Sequence, residues 1–191
     1  MRTATTTFAA MLGIVLITMV TGCSGGGQGG AGASPGASPS ASAPVSAAPA
    51  PMDEAARLQY LIEEEKLAHD VYQRFAQIWG ERIFDNIMAS EVTHQQLLVP
   101  VLTSKGIADP RSSTAGVFSD PDIQRLYDQL VRQGSASVTE AYKAGVAIEQ
   151  KDIADLSADL KTTTDAVTTT VLQRLLAGSQ SHLQAFEAHL D

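Results

Sequence analysis

Apolar residues recur every three or four positions from residue 53 to residue 189, which is the period of an amphipathic α-helix. The pattern predicts four main helices, over about residues 53–79, 85–105, 138–160 and 164–189, and a short helix over about 121–134. No run of alternating apolar and polar residues, typical of a strand, competes with it. We therefore expect an all-α protein built as a helical bundle.

The connection between the second and third main helices is much longer than a tight turn. Residues 107–118 are predicted to form a loop, and after the short helix Ser137 and Glu140 predict a capping box for the third main helix. A connection of this length lets the second and third main helices lie parallel in a four-helix bundle. Within the second helix, Pro100 is expected to cause a kink or to end the regular part.

The chain before residue 53 has a different composition. Arg2 precedes an apolar stretch, Phe8–Val20, whose length suits the core of a signal peptide better than a membrane span. The stretch ends in Val20-Thr21-Gly22-Cys23, which resembles a bacterial lipoprotein cleavage box. We predict that residues 1–23 are a lipoprotein signal peptide ending at a lipidated Cys23; a plain secretory signal with an incidental cysteine is the alternative.

Residues 24–52 consist almost entirely of glycine, alanine, serine and proline. Such a segment has too few apolar side chains to offset the entropy of ordering, so we expect a disordered tether before a folded domain at residues 53–191. The anchor and tether predict an extracytoplasmic protein, lipid-anchored to the cell membrane, or to the outer membrane where the cell has one. Cys23 is the only cysteine, so the folded part cannot contain an internal disulfide.

The formal charge of the whole chain is -8, and no basic patch stands out. This balance argues against nucleic acid as a partner. The glycines at residues 25–36 lie in the tether, with no strand before them and no helix after them, so they do not predict a phosphate-binding loop. Neither a nucleotide nor a haem is implied, and a homodimer is left open.

Each main helix carries acidic or histidine residues in its apolar stripe, where an unpaired charge is costly. Glu91 and His94 are three residues apart, and a Glu-x-x-His pair that faces a bundle interior is a ligand set of carboxylate-bridged two-metal sites. In the first helix, periodicity leaves Glu64 and Glu65 as alternatives. Glu65 is preferred for its apolar neighbours, and Glu63 points away from the stripe. The candidate metal ligands are Glu65, Glu91, His94, Glu149, Asp152 and His182.

Four carboxylates in one core would repel one another and take up protons. Two divalent cations would neutralise them, with His94 and His182 as neutral imidazole ligands, so the six side chains are expected to converge. On the same argument, Glu91→Gln is expected to stabilise the metal-free form by removing one repelling charge. The alternative is ordinary structure, with Glu149 and Asp152 as a surface pair and His182 as a hydrogen-bonded core residue.

Three stretches of the chain resemble a single family. They are LIEEEKLAHDVY at 61–72, AGVAIEQKDI at 144–153 and GSQSHL at 178–183. The chain resembles, over essentially all of its folded part, the prokaryotic ferritin-like domain family of unknown function DUF2202, within the ferritin and rubrerythrin superfamily. The spacing of Glu65 and Tyr72 is similar to that in the first helix of ferritins and rubrerythrins.

The resemblance implies a ferritin-like four-helix bundle, with a long connection containing a short helix between the second and third main helices. It also implies a metal site, with iron or manganese as the cofactor and two ions per chain. The roles it implies are a first-helix ligand at Glu65, a bridging carboxylate at Glu91, a terminal ligand at His94, a third-helix ligand at Glu149, the extra carboxylate of rubrerythrin at Asp152 and the fourth-helix histidine at His182.

The chain departs from the ferritin pattern at Ser179, where the fourth helix usually carries a second carboxylate, and it lacks the rubredoxin-type cysteines of rubrerythrin. The leading hypothesis is an envelope-tethered ferritin-like protein that binds metal ions and reacts with oxygen or peroxide. The alternatives are a non-catalytic metal-binding or storage module and a metal-free helical interaction domain. Metal content separates the last hypothesis from the others, and peroxide consumption separates the first two.

Overall fold

The computed structural model describes residues 52–190. The predicted signal peptide, Cys23 and nearly all of the predicted tether lie outside these residues. Five helices and no strands make up the described part, which confirms the predicted all-α fold. The helices are α1 (Glu54–Trp79), α2 (Arg82–Ser104), α3 (Pro121–Gly134), α4 (Val138–Thr162) and α5 (Ala166–Glu187).

Side-chain caps fix the starts of most helices. Asp53 accepts a hydrogen bond from the Ala56 amide at 2.8 Å, and Asp165 accepts one from the Thr168 amide at 2.7 Å. Ser137 caps α4 as predicted, with its hydroxyl oxygen 3.1 Å from the Glu140 amide nitrogen. These caps satisfy amide groups that have no partner inside the helix.

The start of α2 differs from the sequence prediction. The helix begins at Arg82, three residues before the expected start, and the side chain of its N-cap residue Glu81 makes no capping hydrogen bond. The helix continues through Pro100 to Ser104, close to the predicted end at residue 105. Only one turn follows the proline, and burial of Val101 and Leu102 in the core holds that turn in place.

The main helices form a square in which α1 packs against α2 and α4, and α5 packs against the same two helices. Contacts at the helix ends give their directions. Lys105, just after α2, lies 2.9 Å from Glu54 at the start of α1, and Arg57 near that start lies 3.5 Å from Asp159 near the end of α4. Helix α1 is therefore antiparallel to both neighbours, and α2 and α4 are parallel as the long connection predicted.

Buried charged side chains of α1 form hydrogen bonds with the long connection. Glu63 accepts hydrogen bonds from the amides of Ser119 and Asp120 at 2.7 and 2.8 Å. Lys66 donates to two carbonyls of the connection and pairs with Asp70 at 2.5 Å. Glu63 does point away from the bundle interior, as the helical pattern indicated, but the connection covers it and leaves 1% of it exposed.

The apolar core has an aromatic half and an aliphatic half. Large buried residues of the aromatic half are Tyr72, Phe75, Phe84, Tyr142 and Phe186. Their counterparts in the aliphatic half are Leu58, Ile62, Leu98, Leu156 and Leu172. On each main helix, buried polar residues lie between the residues of the aromatic half and those of the aliphatic half. These polar residues form a layer that crosses the bundle.

We predict that a chain shortened to begin at Met52 keeps its full helix content and melts cooperatively at the temperature of the full chain. The core residues that the structure describes lie within residues 58–186, and residues 24–51 are almost all glycine, alanine, serine and proline, so we expect the removed residues to add no apolar face. Circular dichroism at 222 nm during heating measures both properties. As a control, a chain that begins at Lys66 lacks Leu58, Leu61 and Ile62 and should lose the cooperative transition. Loss of helix in the Met52 chain would show that the domain boundary is wrong.

Candidate metal centre

The polar layer consists of side chains that are almost completely removed from water. The exposed fraction is 0% for Glu65, Glu91 and Glu149, and 2% for Asp152. Glu149 and Asp152 are therefore not a surface pair, which rules out the structural alternative for them. His94 and His182 are also buried, with 5% and 9% exposed. Burying an unpaired carboxylate costs free energy, so this layer requires compensating partners.

Helical spacing brings the ligand candidates of each helix to the same height in the bundle. Glu91 and His94 are three residues apart on α2, and Glu149 and Asp152 are three residues apart on α4, so each pair shares one inward face. Helix α1 contributes Glu65 and α5 contributes His182. All four main helices therefore supply at least one side chain to the layer.

One group of donor atoms joins α1 and α2. The Nδ1 atom of His94 lies 3.0 Å from Oε2 of Glu65 and 2.8 Å from Oε2 of Glu91. The contact of Nδ1 with Glu65 has hydrogen-bond geometry, whereas its contact with Glu91 does not. One ligand atom from each of the three residues lies within 4.8 Å of the other two.

A second group joins α2, α4 and α5. The Nδ1 atom of His182 lies 2.9 Å from Oε1 of Glu91 and 3.6 Å from Oε2 of Glu149, and again the ligand atoms of the three residues lie within 4.8 Å of one another. Glu91 belongs to both groups and presents a different oxygen to each. The rings of His94 and His182 lie 5.4 Å apart and nearly parallel, so the two groups are adjacent.

Several atoms of these residues have no hydrogen-bond partner within residues 52–190. They are both Glu91 oxygens, Glu65 Oε1, Glu149 Oε2, Asp152 Oδ2 and His182 Nδ1. Buried polar atoms in folded proteins are normally hydrogen-bonded, and a cluster of exceptions requires an explanation such as a bound ion. Carboxylate oxygens and imidazole nitrogens that converge without hydrogen bonds have the donor set and the direction that a cation site needs.

The protonation of the metal-free centre follows from its burial. Burial raises the pKa of Glu65, Glu149 and Asp152, because water no longer stabilises their charged forms. Burial alone would also raise the pKa of Glu91, but the adjacent His182 and His94 outweigh it and lower the pKa to about 2. Glu91 therefore keeps its charge to a lower pH than the other three carboxyl groups do.

The two histidines carry the complementary charges. Burial lowers the pKa of each ring, but the carboxylates outweigh it. Glu65 and Glu91 raise the pKa of His94 to about 10, and Glu149 and Glu91 raise that of His182 to about 9. In the metal-free form Glu91 is therefore the anion between two imidazolium rings. These neighbours reverse the expectation for Glu91→Gln in this form: because the charge that it removes is attractive, we expect the change to destabilise the fold.

Asp152 and Ser179 complete the polar layer. Asp152 belongs to neither three-residue group. Its pKa is raised well above the ordinary value by burial and then by the charges of Glu65, Glu64, Glu149 and Glu91, which indicates that it lies among these carboxylates. Ser179 faces the interior with 1% exposed, but its hydroxyl donates to the Leu175 carbonyl at 3.2 Å. Within the two groups, α5 supplies only His182 as a donor.

Three residues that the sequence did not nominate as part of the site hold its ligands in position. The Tyr72 hydroxyl donates to Glu149 Oε1 at 2.6 Å, and Ser90 Oγ lies 3.0 Å from His182 Nε2. Gly178 faces the edge of the His94 ring so closely that a Cβ atom would collide with it. Two signals were available: the spacing of Tyr72 from Glu65, and a glycine inside a helix, which usually reflects a close approach. These contacts orient both imidazoles and one carboxylate.

The remaining histidines lie outside the centre. Nδ1 of His69 lies 2.8 Å from Asp70 at the edge of the connection, and Nδ1 of His189 lies 2.8 Å from the Ala185 carbonyl near the end of α5. Neither belongs to a group of converging ligand atoms. His189 therefore offers a control position for His94 and His182.

Within residues 52–190, none of the helices is long and apolar enough to cross a lipid bilayer.

Residues 54–191 match the family described as "Uncharacterized protein domain (DUF2202)". The chain is 39% identical over 139 residues to the uncharacterized protein MJ0754 of Methanocaldococcus jannaschii, an alignment that covers 72% of this chain and 75% of that protein. The crystal structure of the hypothetical protein MJ0754 from Methanococcus jannaschii matches with a TM-score of 0.70 and 38% identity, and the match covers 76% of this chain and 85% of that chain. The match over residues 54–191 and the 39% identity to this relative together show that the chain belongs to the DUF2202 family.

Proposed function

We propose that this protein is a ferritin-like metal-binding protein of the cell envelope, with a two-ion carboxylate centre for iron or manganese. The observation that carries the proposal is the pair of donor groups that share Glu91. Each group combines two carboxylates and one imidazole, and most of their oxygens lack hydrogen-bond partners in the described residues. This is the arrangement expected of a carboxylate-bridged pair of ions in a helical bundle.

The charges support two divalent ions. The four buried carboxylates Glu65, Glu91, Glu149 and Asp152 would carry four negative charges, and two divalent cations would balance them with both histidines neutral. Glu65 and His94 would hold one ion, Glu149 and His182 the other, and Glu91 would serve both. Asp152 is a further carboxylate for this centre, whereas Ser179 on α5 supplies none.

The chain's own residues fit redox chemistry at such ions. Bound iron or manganese would supply the capacity to exchange electrons with oxygen or peroxide when the coordination shell has open positions. Tyr72 holds Glu149 by a hydrogen bond of 2.6 Å, and Ser90 fixes the ring of His182, so two ligands are oriented before any ion binds. The aromatic half of the core covers one side of the layer and excludes water there.

A storage or delivery role is the second candidate, and two observations favour it. Ser179 leaves Glu91 as the one carboxylate that both donor groups share. The only cysteine, Cys23, is in the predicted signal segment, so the domain has no cysteine-held electron donor. Peroxide consumption by the metal-loaded chain separates the two roles: turnover supports the catalytic role, and tight binding without turnover supports storage.

We predict that the full chain, purified without an affinity tag and loaded with manganese, contains two ions per chain by elemental analysis. His94→Ala and His182→Ala should each lower the count toward one, because each ring belongs to a different donor group. Metal at about 100 times its Kd should stabilise the folded chain by about 2.7 kcal/mol, seen as a rise in Tm.

His189→Ala is the matched control, since this ring lies outside both groups, and it should retain both ions. An equal loss in all three variants, or a wild-type chain that binds no iron or manganese at all, would contradict the proposed centre.

We also predict opposite effects of two conservative changes on the metal-free form. At pH 7, Asp152→Asn should raise Tm by a few degrees, the size of effect that about 1 kcal/mol has in a domain of this size. The folded state must protonate Asp152, whose pKa is raised, and this cost is present above the unfolded pKa of about 3.9 and absent below it. Glu91→Gln should lower Tm, because it leaves two imidazolium rings without their shared anion.

Thermal melts at pH 7 and near pH 3.5 measure both effects. The gain from Asp152→Asn should disappear at the lower pH. The loss from Glu91→Gln should persist there, because the pKa of Glu91 is about 2 in the folded chain. Glu187→Gln is an exposed control that should change neither melt. Stabilisation by Glu91→Gln at pH 7 would contradict the charge assignment.

For the envelope location, we predict that the wild-type chain fractionates with membranes and incorporates labelled palmitate. Cys23→Ala should abolish the label and leave the chain unprocessed or in the soluble fraction, because the lipid is attached to that residue. Ser24→Ala is the neighbouring control and should behave as wild type. A wild-type chain that is wholly soluble and cleaved at another position would contradict the anchor.

A further inference from the structure

A cleft of about 710 Å³ opens between α1, α4 and the start of α3. Two basic side chains, Arg57 and Lys151, border it. More numerous are the carboxylates, which come from Glu64, Asp120, Asp122, Asp155 and Asp159. None of the six candidate metal ligands lines the cleft. The excess of carboxylates gives it a negative potential, which concentrates cations at its mouth.

Glu64 forms the inner wall of this cleft. Its side chain is 3% exposed, and Oε1 pairs with the ammonium group of Lys151. The other oxygen, Oε2, is buried and has no hydrogen-bond partner in residues 52–190. A buried carboxylate oxygen without a partner at the end of an acidic cleft indicates a position that a cation can occupy.

The Glu64–Lys151 pair lies directly beside the metal centre. Glu64 precedes the candidate ligand Glu65 on α1, and Lys151 precedes Asp152 on α4. Asp152 also has a buried oxygen without a partner, and the charge of Glu64 is among the causes that raise its pKa. Carboxylates therefore continue from the cleft through Glu64 and Asp152 to the two donor groups.

We propose that this acidic cleft is the route by which divalent cations reach the metal centre, with Glu64 as the carboxylate that passes them to Asp152 and Lys151 as the ammonium group that they displace. The proposal rests on the proposed metal-binding function. It assigns a role to two residues that belong to neither donor group.

Lys151 is suited to act as a displaceable cation. Its Nζ atom contacts Glu64, lies 2.5 Å from Asp155 and lies 4.8 Å from the centre of the Tyr60 ring. The Lys151 side chain is 32% exposed, so its flexible stem allows it to move into solvent. Asp155 is 42% exposed, so the ion pair between these two residues can persist after the move. A divalent ion brings twice the charge of the ammonium group to the same carboxylate.

The face between α2 and α5 offers a less favourable route. The side chains of His94 and His182 keep 7% and 11% of their surface exposed there, near Gly178 and Ser90. The contacts of the two imidazole edges on that face are with a glycine and a hydroxyl, whereas five carboxylates line the acidic cleft. An approaching cation gains more from the acidic cleft.

Stopped-flow mixing of the metal-free full chain with manganese tests the route. Glu64→Gln should slow association by about tenfold, the lower end of the effect expected for electrostatic guidance. Dissociation should slow by the same factor, so that Kd and the number of bound ions stay unchanged. Lys151→Gln should accelerate association. Glu187→Gln removes an exposed acid outside the cleft and should leave both rates unchanged.

Parallel slowing in both directions is the signature of a route. A Glu64→Gln chain with a weaker Kd or fewer ions would make Glu64 a ligand and overturn the proposal, as would unchanged rates. A wild-type chain that binds no manganese or iron would instead overturn the proposed function, so the two failures are distinguishable.

A second variant tests the route if Glu64→Gln fails to fold, a failure that a thermal melt of the metal-free chain would reveal. Asp122→Asn combined with Asp159→Asn removes two charges from the outer part of the cleft and leaves the Glu64–Lys151 pair intact. Association should slow by a smaller factor, and the slowing should fade at high salt, where exposed charges are screened. Unchanged association at low salt would overturn the route independently of Glu64.

Discussion

The interaction between Glu91 and the two imidazole rings organises the interior of this bundle. Its carboxylate reaches His94 with one oxygen and His182 with the other, so a single side chain of α2 links donor atoms from all four main helices. Burial raises the pKa of the surrounding carboxyl groups, whereas the two imidazoles lower the pKa of Glu91. The polar layer is thus held by ion pairs and hydrogen bonds between protein groups, and bound metal ions would compete with protons for the same ligand atoms.

The division of the core follows from this layer. Aromatic side chains fill one half and aliphatic side chains the other, and the polar residues separate them at the same height on every main helix. Each half therefore packs separately, and burial of the carboxylates between the halves costs folding free energy. The supporting contacts come from the edges of the two halves: Tyr72 belongs to the aromatic cluster yet donates its hydroxyl proton to Glu149.

Helical periodicity was sufficient to predict the architecture and the inward direction of the six candidate ligands, because both depend on positions within single helices. Periodicity left Glu64 and Glu65 as alternatives, and the apolar neighbours of Glu65 decided in its favour; Glu65 is the one that lies beside His94. The contacts of Glu63, Glu64 and Ser90 could not be read from the sequence, since their partners are at least 56 residues away. The pairing of Glu91 with two imidazole rings could not be read from it for a similar reason: the pairing depends on how two helices rotate His94 and His182 toward one oxygen each.

The parallel arrangement of α2 and α4 divides the molecule into two hairpins whose internal packing is the most extensive in the bundle. The hairpin of α1 and α2 contains a complete donor group, Glu65, Glu91 and His94. The hairpin of α4 and α5 contains Glu149 and His182, and its group is complete only with Glu91 from α2. During folding, the first donor group can form from contacts that are short in sequence, and the second exists only after the hairpins dock. If the proposed two-ion function holds, a chain stopped before docking would therefore offer one complete donor group, and docking of its two hairpins would complete the second.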